Sequence, residues 1–309
     1  MLKGKKYKGA LLLMAFLLAI SLQNFAQRNY VANSVLSTGS WYKIAITKEG
    51  MYKVDAAFLS RLGISTSQLN SATIQLFGNG GAMPEEKNNA PFPDDLIENA
   101  IEVFDGGDGI LNGNDYFIFY APGPQRWVKD SVNKRFQHQK NLVNDTCYYF
   151  LSIAPGGKRI ALQKSTGTPT LQVNSFNERF YYENDSVNLL NSGKNWYGES
   201  FDNAHLSHSF YITIPDLELQ QPVHISTSVI GRNTSTPGTF SMDINRQAPI
   251  TISIDPVSGN LMDAYAKTAF SETDAIVGSN AINLNYNFSA STVASQGWLD
   301  WFEIQGRRS

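Results

Sequence analysis

From Ser34 onward, apolar and polar residues alternate in short bursts closed by turns, the period-two signature of half-buried strands. Trp41-Tyr42-Lys43-Ile44-Ala45-Ile46 and Thr73-Ile74-Gln75-Leu76-Phe77 are the first two such runs. Between them stands the one clear helix signal. Asp55 is placed to cap residues 56–62, with Phe58, Leu59 and Leu62 as the buried stripe, and Gly63 follows where a left-handed residue commonly ends a helix. Further strands are predicted at 100–104, 116–120 and 148–153, the last turned by Gly156-Gly157 towards 159–162. Residues 164–171 read as a linker. Beyond it the alternation is plainer, at 210–214, 223–227, 239–244, 250–254, 281–286 and 298–304. The pattern predicts a mainly β protein of two β-rich modules, residues 27–165 and 166–309. The second is a jelly-roll-like β-sandwich, and the first carries the one short helix.

The first 26 residues break this pattern. Lys3, Lys5, Lys6 and Lys8 precede an unbroken apolar run over 10–20, and Ala26-Gln27 offers a small residue before a cut. This is the layout of a secretory signal peptide, and the run is short for a membrane span of about 20 residues. No later segment reaches spanning length, so an exported chain without a transmembrane segment is expected. Its removal takes four Lys from a chain with 25 basic and 27 acidic side chains, leaving a net charge of −6. No basic stripe remains, which argues against nucleic acid and anionic lipid as partners.

Composition narrows the chemistry. A single cysteine, Cys147, excludes an internal disulfide framework and Cys-rich metal sites. It opens an apolar strand beside Asp145, a setting that raises a thiol pKa and suits a packed thiol rather than a nucleophile. His205 and His208 stand three apart ahead of a strand, where such residues point to opposite faces, and His138 and His224 are the remaining imidazoles. No Gly-x-Ser-x-Gly or phosphate-cradling loop occurs, and no motif asks for a cofactor. The acidic, Gly-rich run 105–115 offers Asp105, Asp108, Asn112 and Asp115 as oxygen ligands for Ca²⁺. Its spacing departs from the EF-hand loop, placing Gly107 and Gly109 at ligand positions, and the same Asx-Gly pairs build tight turns between strands. The residues by themselves identify no catalytic site.

Three stretches, taken in order, resemble a known family. The first is Gly39-Ser40-Trp41-Tyr42-Lys43-Ile44 with Glu49-Gly50-Met51-Tyr52-Lys53-Val54. The second runs from Phe104-Asp105-Gly106-Gly107-Asp108-Gly109 through Asp115-Tyr116-Phe117-Ile118-Phe119-Tyr120-Ala121-Pro122-Gly123-Pro124 to Trp127. The third and most specific is Gly193-Lys194-Asn195-Trp196-Tyr197-Gly198-Glu199-Ser200-Phe201. Together they resemble the N-terminal region of the type IX secretion sortases, gingipain-like cysteine peptidases of family C25 in Bacteroidetes. The signal end at Ala26-Gln27 and the closing Trp298-Leu299-Asp300-Trp301-Phe302 are consistent with it.

The resemblance implies a role at the outer membrane and cell surface. Such sortases remove the C-terminal signal domain of proteins exported by the type IX system and help attach them to anionic lipopolysaccharide. The implied partners are exported cargo proteins and other components of the secretion machinery. The family's catalytic Cys and His lie in a caspase-like domain after the β-rich front. No stretch here matches that domain, so no catalytic residue is carried over. The expectation is the non-catalytic front of a sortase, cut short after Arg307-Arg308-Ser309, or a short paralogue. As a free-standing secreted sandwich the chain would bind a protein or a glycan by itself.

Overall fold

The computed structural model describes residues 30–309 except 86, 88, 165, 166, 192, 194, 235 and 291; the expected signal at 1–26 lies outside the described residues. In the first module, β1 (Tyr42–Ile46) pairs with β9 (Cys147–Ile153). β9 then pairs with β3 (Ile74–Phe77), which carries β4 (Glu98–Asn99) at its edge. A second sheet orders β2 (Gly50–Asp55), β6 (Tyr116–Ala121) and β5 (Glu102–Phe104). Both sheets contribute to one core that includes Ile46, Val54, Leu76, Phe119 and Leu151. Helix α1 (Ala56–Arg61) forms where expected, because the Asp55 carboxylate accepts the Phe58 amide at 2.8 Å and satisfies one orphan donor of the first turn. Gly63 follows with φ +85°, and Leu59 is fully buried in the same core.

The second module is a sandwich. One sheet orders β10 (Phe176–Glu183), β18 (Gln296–Arg308), β13 (Val223–Arg232) and β16 (Lys267–Ala275), with the short β11 (Ser200–Phe201) added to β18. The other orders β12 (Ser207–Thr213), β17 (Ala281–Ser289), β14 (Gly238–Ile244) and β15 (Ile250–Ile254). With β11 set aside and its eight main strands numbered in chain order, the two sheets read 1-8-3-6 and 2-7-4-5. That is the double Greek key of a jelly roll. Phe240, Tyr286, Phe288, Leu299 and Phe302 fill the space between the sheets. The faces approach so closely that a Cβ on Gly297 would stand 2.6 Å from the Phe240 ring. A polar tie crosses the core: the fully buried Tyr286 hydroxyl donates to Thr227 Oγ1 at 2.9 Å, and Thr227 donates to the Trp301 carbonyl at 3.0 Å.

Strand β18 breaks its own alternation. Phe302 and Ile304 point inward, so strict alternation would also bury Asp300. Instead the register against β13 jumps from Ser228↔Trp301 to Val229↔Leu299, leaving Asp300 as the extra residue of a bulge. The bulge sends Leu299 into the core and puts Asp300 on the outer face with Trp301 and Glu303.

The first module reaches that face through the hairpin β7 (Arg126–Asp130) and β8 (Arg135–Gln139), which the sequence reading did not anticipate. Strands β2, β10 and β16 were also unanticipated. The strand expected at 159–162 is instead an isolated bridge, Ile101↔Arg159, before an exposed stretch. There the Arg159 guanidinium donates to the Ile74 and Ser71 carbonyls, work that would otherwise fall to a ladder. No helix among the described residues is long and apolar enough to cross a membrane.

The tie between the two sheets makes a prediction. Tyr286→Phe removes one buried hydrogen bond and no packing volume, and should lower stability by about 1 kcal/mol in urea denaturation. An unchanged midpoint would show that the tie adds nothing.

Candidate functional site

The hairpin lies on the outer face of the β10–β18–β13–β16 sheet, and every side of it is fastened. Phe136 N–H donates to Gln305 Oε1 at 2.9 Å, and Gln305 Nε2 donates back to the Phe136 carbonyl at 2.6 Å. The side-chain amide thus completes a two-bond pair like that between strands. His138 N–H donates to Glu303 Oε1 at 3.1 Å. The His138 ring stacks on Tyr181 with centroids 3.5 Å apart, and Trp127 meets both rings edge-on. Arg179 lies 4.5 Å over the Phe136 ring and reaches Glu49 at 4.0 Å, while Arg135 pairs with Glu272 at 3.1 Å. Lys140, just past the hairpin, pairs with Glu183 at 2.9 Å and also with Asp185.

The hairpin divides the covered face into two cavities. The larger, about 1140 Å³, opens between the modules. Its lining includes segment 141–145 from the first module and Glu183, Trp196, Tyr197, Asp300, Trp301 and Glu303 from the second. Burial pushes all three carboxyls above the usual carboxylate range. Glu183 recovers part of that cost from Lys140 and from the Tyr181 hydroxyl. Asp300 has the Ser228 hydroxyl at 2.8 Å and Lys140 at longer range, and Glu303 has the His138 amide and, at 3.5 Å, Gln305 Nε2. Among the described residues, neither Asp300 nor Glu303 has a cation within ion-pair distance. Glu303 is nevertheless 93% buried, being 7% exposed.

The smaller cavity, about 280 Å³, lies on the Arg135 side and is lined by His224 and Ser226, two members of a relay that the sequence does not announce. Ser226 Oγ is 3.1 Å from His224 Nε2, and His224 Nδ1 is 2.6 Å from Asp274 Oδ1. With Nδ1 protonated, this is the donor order of a nucleophile, base and carboxylate. The signal was available: 224 and 226 share one face of a strand. Acyl transfer also needs donors aimed at a developing oxyanion. Ser226 sits in mid-strand, paired with Glu272 on one side and Glu303 on the other, so its local backbone amides belong to ladders. Arg135, the charged donor nearby, is held by Glu272. The relay orients His224 without completing that chemistry.

The other residues singled out in the sequence are dispersed. Asp105 accepts from Ser71 Oγ at 2.5 Å and Gly107 N at 3.0 Å, Asp108 from Ile110 N at 2.8 Å, and Asp115 from Asn112 N at 2.9 Å. The Ser71 hydroxyl in particular holds the Asp105 carboxyl below its usual range. Among the described residues no three His, Cys, Asp or Glu side chains gather as a metal site would require. His205 turns to Asp202, whereas His208 turns to the Ser200 carbonyl. Cys147 is buried in the first core, and burial pushes its thiol up.

Neither the protein-family models nor the curated proteins contain a match to this chain. Among solved structures it is similar to dimeric latent PorU from Porphyromonas gingivalis, with a TM-score of 0.68 and 20% identity over 89% of this chain. The match takes up 25% of PorU, so the chain spans about a quarter of that protein's length. The insecticidal δ-endotoxin Cry8Ea1 of Bacillus thuringiensis follows with a TM-score of 0.28 and 12% identity, over 76% of this chain and 42% of that one. An Arthrobacter globiformis isomalto-dextranase complexed with panose gives 0.26 and 10%, over 86% and 35%. The PorU match shows that the two chains share a fold.

Burial of the His138 ring lowers its pKa from 6.5 to about 4. The folded state therefore refuses a proton that the unfolded chain takes up, and stability falls as pH drops from about 6.5 to about 4. The raised carboxyls of Glu183, Asp300 and Glu303 act in the opposite direction, gaining stability as pH falls through their range. The difference between His138→Gln and the parent protein isolates the histidine. The gap in Tm, variant minus parent, should become more positive between pH 7 and pH 5; parallel curves would refute the neutral-ring docking.

Proposed function

We propose that this chain is the N-terminal, non-catalytic region of a type IX secretion sortase, exported to the outer membrane and cell surface. There it serves as a scaffold, or binds cargo or a partner, beside a peptidase domain that acts on the C-terminal signals of exported cargo. The observation that carries this reading is the fold shared with a quarter of PorU across nearly the whole described chain. The three resembling stretches support it by their places in the fold. Residues 39–54 span β1 and β2, 104–124 run from β5 through β6, and 195–201 of the third stretch lead into β11 beside the groove. The family's catalytic Cys and His belong to a domain beyond these elements, and the groove offers a docking cleft. Exported cargo and other type IX components are the partners this reading assigns.

The test is an immunoblot of native cells with antibodies raised against residues 170–309. A surface-associated band far larger than 34.2 kDa, carrying these modules in one polypeptide with a peptidase domain, is expected. A secreted band no larger than 34.2 kDa would overturn the sortase reading and leave a free-standing binding module.

A further inference from the structure

We propose that the groove between the modules binds an extended polypeptide through one cationic side chain, an arginine above all. Asp300 and Glu303 hold its guanidinium, and Trp301 and Trp196 line its stem. The proposal rests on reading the groove as a binding cleft and is independent of the sortase relation.

Four observations converge on it. The groove, at about 1140 Å³, has ample room for several residues of extended chain. Its lining includes two carboxylates with no cation within ion-pair distance among the described residues: Asp300, which Lys140 reaches only at longer range, and Glu303, 93% buried and held by the His138 amide and Gln305 Nε2. A desolvated carboxylate without a direct ion-pair partner is costly, and an entering cation recovers part of that cost. The bulge in β18 is the third. Without it Asp300 would face the hydrophobic core; with it, Asp300, Trp301 and Glu303 share the outer face. Bulges that re-aim a side chain in this way are common beside binding sites.

The fourth is that the protein already performs the same recognition on itself nearby. Lys140 lies against Glu183 and Asp185 in the same groove, and Arg179 is laid over the Phe136 ring with a carboxylate at its far end. A guanidinium fits the open position better than an ammonium, since it is planar, makes paired bonds to carboxylates and stacks on indole. The rim supplies apolar grip for the flanking peptide: Leu142 and Val143 are 47% and 81% exposed there. A neutral glycan would use the aromatic wall but leave the buried carboxylates uncompensated.

The test titrates the purified chain with the pentapeptide acetyl-Gly-Ser-Arg-Ser-Gly-amide and with its citrulline counterpart, which keeps the shape and loses the charge. Tryptophan fluorescence reads Trp196 and Trp301 in the groove, and calorimetry confirms stoichiometry. Saturable, salt-sensitive 1:1 binding of the arginine peptide is expected, with none for citrulline. Asp300→Asn should weaken binding at least about tenfold, as loss of one partner of a desolvated charge pair does. Asp300 is half-buried and Asn keeps an acceptor for Ser228, so the variant should melt as the parent does. No saturation by the arginine peptide, equal binding of both peptides, or saturation by maltohexaose alone would each overturn the proposal. The citrulline comparison needs no variant and stands even if Asp300→Asn misfolds. Because the immunoblot reads chain length and the titration reads the groove, either reading can fail without the other.

Discussion

The arrangement of this protein depends on covering a charged sheet face. The outer side of a sandwich sheet is ordinarily left to water, which solvates whatever polar groups stand there. Here the β7–β8 hairpin excludes water from the middle of the β10–β18–β13–β16 sheet, where Glu303 stands. A carboxylate so placed needs donors, and it takes one from the hairpin's own backbone, the His138 amide. That requirement fixes the hairpin's register on the sheet. The Gln305–Phe136 pair sets its height, and the His138–Tyr181 stack sets its tilt. Replacing such a polar interface by a well-packed apolar one is often neutral or stabilising. The polar version achieves something an apolar one would not: it fastens one module to the other while leaving charged groups at the edge of the contact.

The two cavities beside the hairpin differ in how their charges close. On the Arg135 side, Glu272 has Arg135, and His224 sits between Asp274 and Ser226. On the other side, one lysine pairs with both Glu183 and Asp185 and reaches Asp300 only at longer range, and neither carboxylate of β18 has a cation within ion-pair distance among the described residues. The relay around His224 resembles catalytic chemistry more closely at first sight, yet it is internally satisfied and Ser226 is paired in ladders on both sides. The groove resembles no motif, yet its electrostatics are left open.

How much of this could be read from the chain follows from where each element finds its partners. β14 and β17 alternate strictly, because one face meets the sandwich core and the other meets solvent. β16 alternates as well, but its outward residues Thr268, Phe270, Glu272 and Asp274 frame small inward ones, so little apolar signal remains. β10 is half-buried along most of its length, covered on one side by core and on the other by the hairpin, and its pattern is blurred accordingly. The hairpin itself has no hydrophobic stripe for a core. Its partners are Tyr181, Glu303 and Gln305, far along the chain, and local periodicity carries no trace of them. The acidic Gly-rich run was conspicuous for the opposite reason: its carboxylates bond to backbone two or three residues away, and to Ser71, which is chemistry that composition makes visible.

Asp300 shows why the groove is less legible in the chain than the fold. The segment Trp298-Leu299-Asp300-Trp301-Phe302 cannot satisfy one alternation: with Phe302 inward, either Asp300 is buried or the strand must slip. The strand slips, at the point where Ser228 offers its hydroxyl to the displaced carboxylate. A conflict of phase inside an otherwise regular strand is therefore a sequence-level pointer to a bulge, and a bulge that moves a carboxylate out of a core points to whatever that carboxylate meets outside. The jelly roll needs only Leu299, Phe302 and Ile304 from this strand. The acid and the indole between them serve the surface, and the backbone there departs from its ladder to present them together.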